Sequence, residues 1–124
     1  MDPEPNAPSS KDDLIRSAVP SGVVVILAHK PDMKSNVLTL QDYYREGRLF
    51  IPIFRSKESF QQSTRGGVDK PILWMDHRLF VSMLRGAETI ILDLGLPDEI
   101  VTSAAELKRI FPEPFDFSHP APGE

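Results

Sequence analysis

The sequence contains no cysteine and a single tryptophan, and aromatic residues fill only 8% of its 124 positions. The missing cysteines exclude a disulfide scaffold, an iron–sulfur centre, a zinc ribbon and a cysteine nucleophile. No apolar run approaches the roughly 20 residues that a membrane-spanning helix needs. The opening residues Met1–Ser10 lack the basic and apolar regions of a signal peptide. A soluble, cytoplasmic protein with no membrane partner is the expectation. Catalytic signatures are missing too: there is no GxSxG, GxxxxGK[ST], GxGxxG or HExxH. No two of His29, His77 and His119 have the spacing of helical metal ligands. Neither a metal nor another cofactor is therefore expected.

What is present suits one globular domain. Hydrophobic residues make up 40% and charged residues 26%, an ordinary balance for a folded chain. A chain of this length buries enough surface to stand without a metal or disulfide staple. Net charge is −4, which does not attract nucleic acid to the chain as a whole. The cations Arg45, Arg48, Arg55, Lys57, Arg65 and Lys70 form a local basic stretch. Glu46, Glu58 and Asp69 interrupt it, so it reads as a solvated face and nucleic acid is not the expected partner. Seven of the twelve prolines lie outside Lys11–Phe111. Residues 1–10 and 112–124 therefore read as Pro-rich tails around one domain.

Between the tails, helix and strand signals mix. Lys11–Val19 predicts a short helix capped by Ser9 or Ser10. Val23–Leu27 is a run of five apolar residues, four of them β-branched, which predicts a buried strand. Val37–Leu40 fits either a strand or the start of a helix running through Tyr43 and Tyr44. Arg48–Phe54 predicts a strand, placed on an edge or bulged because Pro52 cannot donate to a ladder. Ser56 is placed to cap a helix over Lys57–Thr64, anchored by Phe60. Ile72–Met75 predicts a strand. Asp76 follows as cap of a helix over His77–Arg85, with Gly86 as its C′ residue. Thr89–Leu94 predicts another buried strand, and Ile100–Val101 a short extended segment. Ser103 with Glu106 forms a capping-box pattern before a last helix, which Pro112 ends. The fold class is α/β (or α+β): one mixed sheet of about four to five strands with short helices packed on it.

Two sets of residues are candidates for function. Asp76, His77 and Asp93 follow predicted strands, where α/β enzymes place acids and bases. An enzyme or metabolite-binding site would need them to converge on one pocket. Helix capping by Asp76 and turn formation by Asp93 explain both aspartates without a reaction. The second set is a contact surface for protein: Tyr44, Phe50, Pro52, Phe54 and Arg55, on a strand whose open edge would accept another chain. Tyr43 and Tyr44 cannot both point inward, so one of them is exposed. Trp74 is, with Tyr43 and Tyr44, a residue type expected at a binding surface, but between Leu73 and Met75 it reads as core.

The segment from Arg48 through Phe54-Arg55-Ser56 to Glu58 resembles the signature of the SseB (enhanced serine sensitivity) N-terminal-domain family. The stretches Leu79–Gly86, Thr89–Leu94 and Ala105–Leu107 are similar to that family's helix, strand and closing helix. The resemblance covers about Val23–Phe111. It implies a compact α/β domain with no established enzyme activity, and it supplies no catalytic residues to carry over. Two positions depart from the family's pattern. Arg55 replaces the usual threonine, and Asp93-Leu94-Gly95 replaces the usual Asn-Pro-Gly turn. The resulting expectation is a non-enzymatic protein-interaction or regulatory module, with an unidentified protein partner or a second copy of itself.

Overall fold

The computed structural model describes residues 7–19, 21–30 and 38–113. Its elements are α1 (Ala7–Ala18), β1 (Gly22–Ile26), β2 (Tyr43–Arg45), β3 (Arg48–Phe54), α2 (Lys57–Thr64), β4 (Ile72–Asp76), α3 (His77–Ser82), β5 (Thr89–Leu92), β6 (Ile100–Ser103) and α4 (Ala104–Ile110). The six strands form one mixed sheet in the order β4-β1-β3-β5-β6, with β2 added to β3. The expected α/β architecture is thus present. The additional strand is β2, in the stretch where the sequence left strand and helix open.

β1 lies between two antiparallel neighbours, β4 and β3. Its continuous apolar run serves two cores. Val23 and Val25 face the main core, which holds Ile15 of α1, Phe80 of α3, Leu107 and Ile110 of α4, and Ile53, Ile90 and Leu92 of the sheet. Val24 and Ile26 face the other way and join Phe54 in a smaller core, against which Phe60 of α2 packs. Alternation of side chains along the strand is what divides them.

β3 is central rather than an edge, which corrects the expectation built on Pro52. It pairs in parallel with β5 on one side. On the other side it pairs with β2 through Phe50 and with β1 from Ile53 onward. Ile51 and Pro52 occupy the gap where one partner ends and the next begins. A residue without an N–H is tolerated there because no ladder bond is lost. Glu46 (φ 54°) and Gly47 (φ 80°) close the β2–β3 hairpin, and two positive φ values are what a tight primed turn demands.

Helix limits differ from the sequence pattern in two places. α1 begins at Ala7, inside the stretch expected to be tail. α3 ends at Ser82 rather than Arg85. The Glu88 carboxylate accepts the N–H groups of Arg85 (2.9 and 3.0 Å) and Gly86 (2.9 Å), so those donors are not left for another helical turn. Gly86 (φ 125°) accordingly belongs to the following loop and is not a C′ residue. The capping box at α4 is half formed. Ser103 Oγ accepts the Glu106 N–H at 3.1 Å. The Glu106 carboxylate instead accepts Thr102 Oγ1 (2.7 Å) and Lys11 Nζ (3.1 Å), tying α4 to α1.

One glycine is fixed by close approach. A Cβ on Gly22 would stand 2.3 Å from the Trp74 ring and 2.6 Å from the Met75 carbonyl oxygen. The ring of Trp74, a diagonal neighbour across the ladder, thus lies over the bare backbone. Gly22→Ala is expected to destabilise the domain by about 1–3 kcal/mol through this overlap. Equilibrium urea unfolding checks it, and an unchanged midpoint would refute the packing argument.

Candidate functional site

The residues of the first candidate set do not assemble. Asp76 ends β4 and Asp93 follows β5, with β1 and β3 between them. Three strand spacings of about 4.8 Å separate the two strand ends. Each carboxylate is already engaged. Asp76 caps α3 through the Arg78 N–H at 2.8 Å and pairs with the Arg78 guanidinium at 2.9 and 3.0 Å. The Arg78 side chain holds the Asp76 carboxyl below its ordinary range, burial opposes this, and the Arg78 N–H adds to the lowering. His77 packs its ring against Phe111, with centroids 4.7 Å apart. Its Nδ1 is buried and has no hydrogen-bond partner among the described residues. The convergence that an enzyme or metabolite-binding site would require of these three is not seen, with Asp76 and Asp93 three strands apart. His119 lies outside the described residues. Among the described residues no group of three or more His, Asp and Glu could hold a metal ion.

Asp93 is 1% exposed and sits at φ 56°, a left-handed turn position that aspartate tolerates. Its own N–H continues the parallel ladder to the Ile53 carbonyl at 2.9 Å. Its carboxylate accepts the Arg55 N–H at 3.1 Å and pairs with Arg55 Nε. Arg55 Nη2 also reaches Asp98 at 3.2 Å. Two further elements hold the same loop. Ser63 of α2 donates to the Leu94 carbonyl, and Arg45 of β2 pairs with Glu99 at 2.9 Å. Glu99 is held below the ordinary carboxylate range by the Gly95 N–H first, against burial, and then by Arg45. The arrangement is a clamp that fixes the turn between β5 and β6. It also consumes two of the cations of the basic stretch, Arg45 and Arg55.

The second candidate set is divided by burial. Phe50, Pro52 and Phe54 are buried in the sheet, because β3 is central, so they are corrected from contact surface to core. A substitution at Phe54 therefore reports on stability before it reports on binding. Arg55 is half-buried in the clamp. Tyr44 is 72% exposed. Tyr43 turns inward, its ring 6.3 Å from that of Phe50.

Tyr44 stands opposite Leu49 on the β2–β3 hairpin, so the two side chains share one face. Leu49 is itself 48% exposed. It lines a groove of about 620 Å³ whose walls include Leu38, Leu40, Ile51, Met83 and Glu88. The groove lies where β3 and β5 begin. Burial alone raises the Glu88 carboxyl, but the N–H groups of Arg85, Gly86, Glu88 and Ala87 outweigh it and hold the group below its ordinary range. Glu88 is thus an anionic wall, with Asp42 and Arg85 also at the rim.

Comparison with protein families, curated proteins and solved structures finds no match to this chain. The class defined by the fold and the groove is an α/β domain with an accessible apolar cleft.

Leu49 and the groove were missed from sequence. Their signal was the Glu46-Gly47 turn, which sets Tyr44 across from Leu49. Trp74 was misplaced as core: it is 54% exposed, because β4 is an edge strand and its indole lies over Gly22 rather than under a helix.

Proposed function

We propose that this chain is a non-enzymatic, SseB-like interaction domain of the cytoplasm. It acts by holding a short apolar segment of a partner protein in the groove beside the β2–β3 hairpin. One observation carries the reading: exposed Tyr44 stands opposite exposed Leu49, which lines a cleft of roughly 620 Å³. Exposed aromatic and aliphatic side chains beside an apolar cleft are the usual anchors of protein recognition. A polar rim of Asp42, Arg85 and Glu88 gives orientation to what binds. The SseB-like assignment rests on the resemblance at Arg48–Glu58. The interaction reading stands on the hairpin and groove without it.

The test places a photo-crosslinking amino acid at Tyr44 and, separately, at Leu14, an exposed residue on α1. One protein species is expected to crosslink from position 44 and not from position 14. Leu49→Asp in the Tyr44 variant should abolish the adduct while shifting stability by less than about 0.5 kcal/mol, as for other surface changes. Equal adducts from both positions, or none from either, would sink the proposal.

A further inference from the structure

We infer that the outer edge of β4 joins a second copy of this chain, extending the sheet through antiparallel β4–β4 pairing centred on Trp74. Two hydrogen bonds fix which backbone groups of β4 face outward. Leu27 donates to the Pro71 carbonyl at 2.8 Å, and His77 donates to the Ser21 carbonyl at 3.1 Å. Both belong to the register that sets Val25 opposite Leu73 and Val23 opposite Met75. Hydrogen-bonded pairs alternate along an antiparallel ladder. Leu73 and Met75 therefore turn their N–H and C=O groups toward β1. Ile72, Trp74 and Asp76 turn theirs away from it, and among the described residues no strand pairs that side.

This edge complements itself. A two-fold axis at Trp74 makes the two Trp74 residues a hydrogen-bonded pair, each N–H meeting the other's carbonyl. It also sets the Asp76 N–H of each copy against the Ile72 carbonyl of the other. The Asp76 carbonyl is kept by the first turn of α3, which Asp76 caps. Side chains agree with that register. The two Trp74 Cα atoms stand about 5.5 Å apart across the axis with their side chains on one face, each indole lying over its own Gly22 and flanking the new ladder. Asp76 faces Ile72, so no like charges oppose each other. Ile72 and Trp74 supply neither the lysine nor the proline that commonly guards an open edge. The opposite edge offers less. Ala104 donates to the Glu88 carbonyl at 2.9 Å, which leaves only Val101 and Ser103 of β6 facing outward, and Ser103 is committed to capping α4. A foreign peptide would match the free backbone of β4 equally well. Only a second copy brings a matching indole to the centre and an isoleucine opposite Asp76.

Trp74 is the single tryptophan of the chain, so its emission reports this edge alone. Sedimentation velocity and fluorescence are recorded on the full chain from low micromolar to about 1 mM. The expected result is a shift toward twice the monomer mass, with a blue shift of the emission following the same concentration dependence. Trp74→Lys should weaken the association at least about tenfold, with an unchanged circular dichroism spectrum, and Trp74→Phe should retain it. A monomer with solvent-exposed emission throughout would overturn the inference. So would a dimer that survives Trp74→Lys or forms without an emission change, because either outcome places the contact elsewhere. The wild-type emission and mass decide the matter even if a variant fails to fold. Trp74→Lys leaves the Tyr44 crosslink intact, which separates this inference from the groove.

Discussion

Asp93→Ala is expected to destabilise the domain by about 3 kcal/mol. Breaking a buried ion pair costs about 3–5 kcal/mol because the remaining charge is left uncompensated. The Arg55 side chain retains 33% of its exposure, against 1% for Asp93, so solvent relieves part of the cost and the lower end applies. The substitution also strands the Arg55 N–H, which the carboxylate accepts. Asp93→Asn isolates the charge, since asparagine tolerates the same positive φ, and is expected to lose less. Arg55→Ala leaves the buried carboxylate with one backbone donor and is expected to match or exceed Asp93→Ala. Asp98→Ala removes only the exposed arm of the clamp and should stay within about 1 kcal/mol. Urea unfolding at constant m-value orders the four variants. A loss at Asp98 equal to that at Asp93 would mean that burial is not the source of the effect.

This pair also shows where sequence reading stops. Arg55 and Asp93 each follow a predicted strand, and each is legible separately in the sequence. Nothing in the sequence says that they meet, because the contact depends on β3 and β5 being parallel neighbours. Local signals translated well. The caps at Ser56, Asp76 and Ser103 each bond the backbone N–H expected of them. The β-branched run at Val23 became a strand buried on both faces. What failed was whatever required strand order. Pro52 suggests an edge or a bulge, because a gap between two partners on one side of a central strand has no sequence signature. Trp74 was assigned to the core because its apolar neighbours do not reveal that β4 is outermost. The groove was unreadable for the same reason, since its walls come from segments brought together only by the fold.

Phe54→Ala should produce a loss of similar or greater size, about 3–5 kcal/mol, by opening a cavity in the smaller core. Phe54 is 1% exposed and meets Phe60 edge-on, with ring centroids 5.2 Å apart and an interplanar angle of 83°. That contact is the main hold on α2, none of whose residues is fully buried. Phe60→Ala removes a half-buried ring and is expected to cost less. The two changes should not add. A coupling of about 0.5–1.5 kcal/mol is expected for rings in this geometry. Hydrogen exchange separates local from global effects. In Phe60→Ala the amides of α2 should lose protection while those of β1, β3 and β5 keep theirs, because the main core on the other face of the sheet is untouched. If α2 instead stayed protected, Ser63 on the Leu94 carbonyl and the Ser56 cap would be sufficient to hold it. The helix would then be docked by its polar ends and not by its aromatic centre.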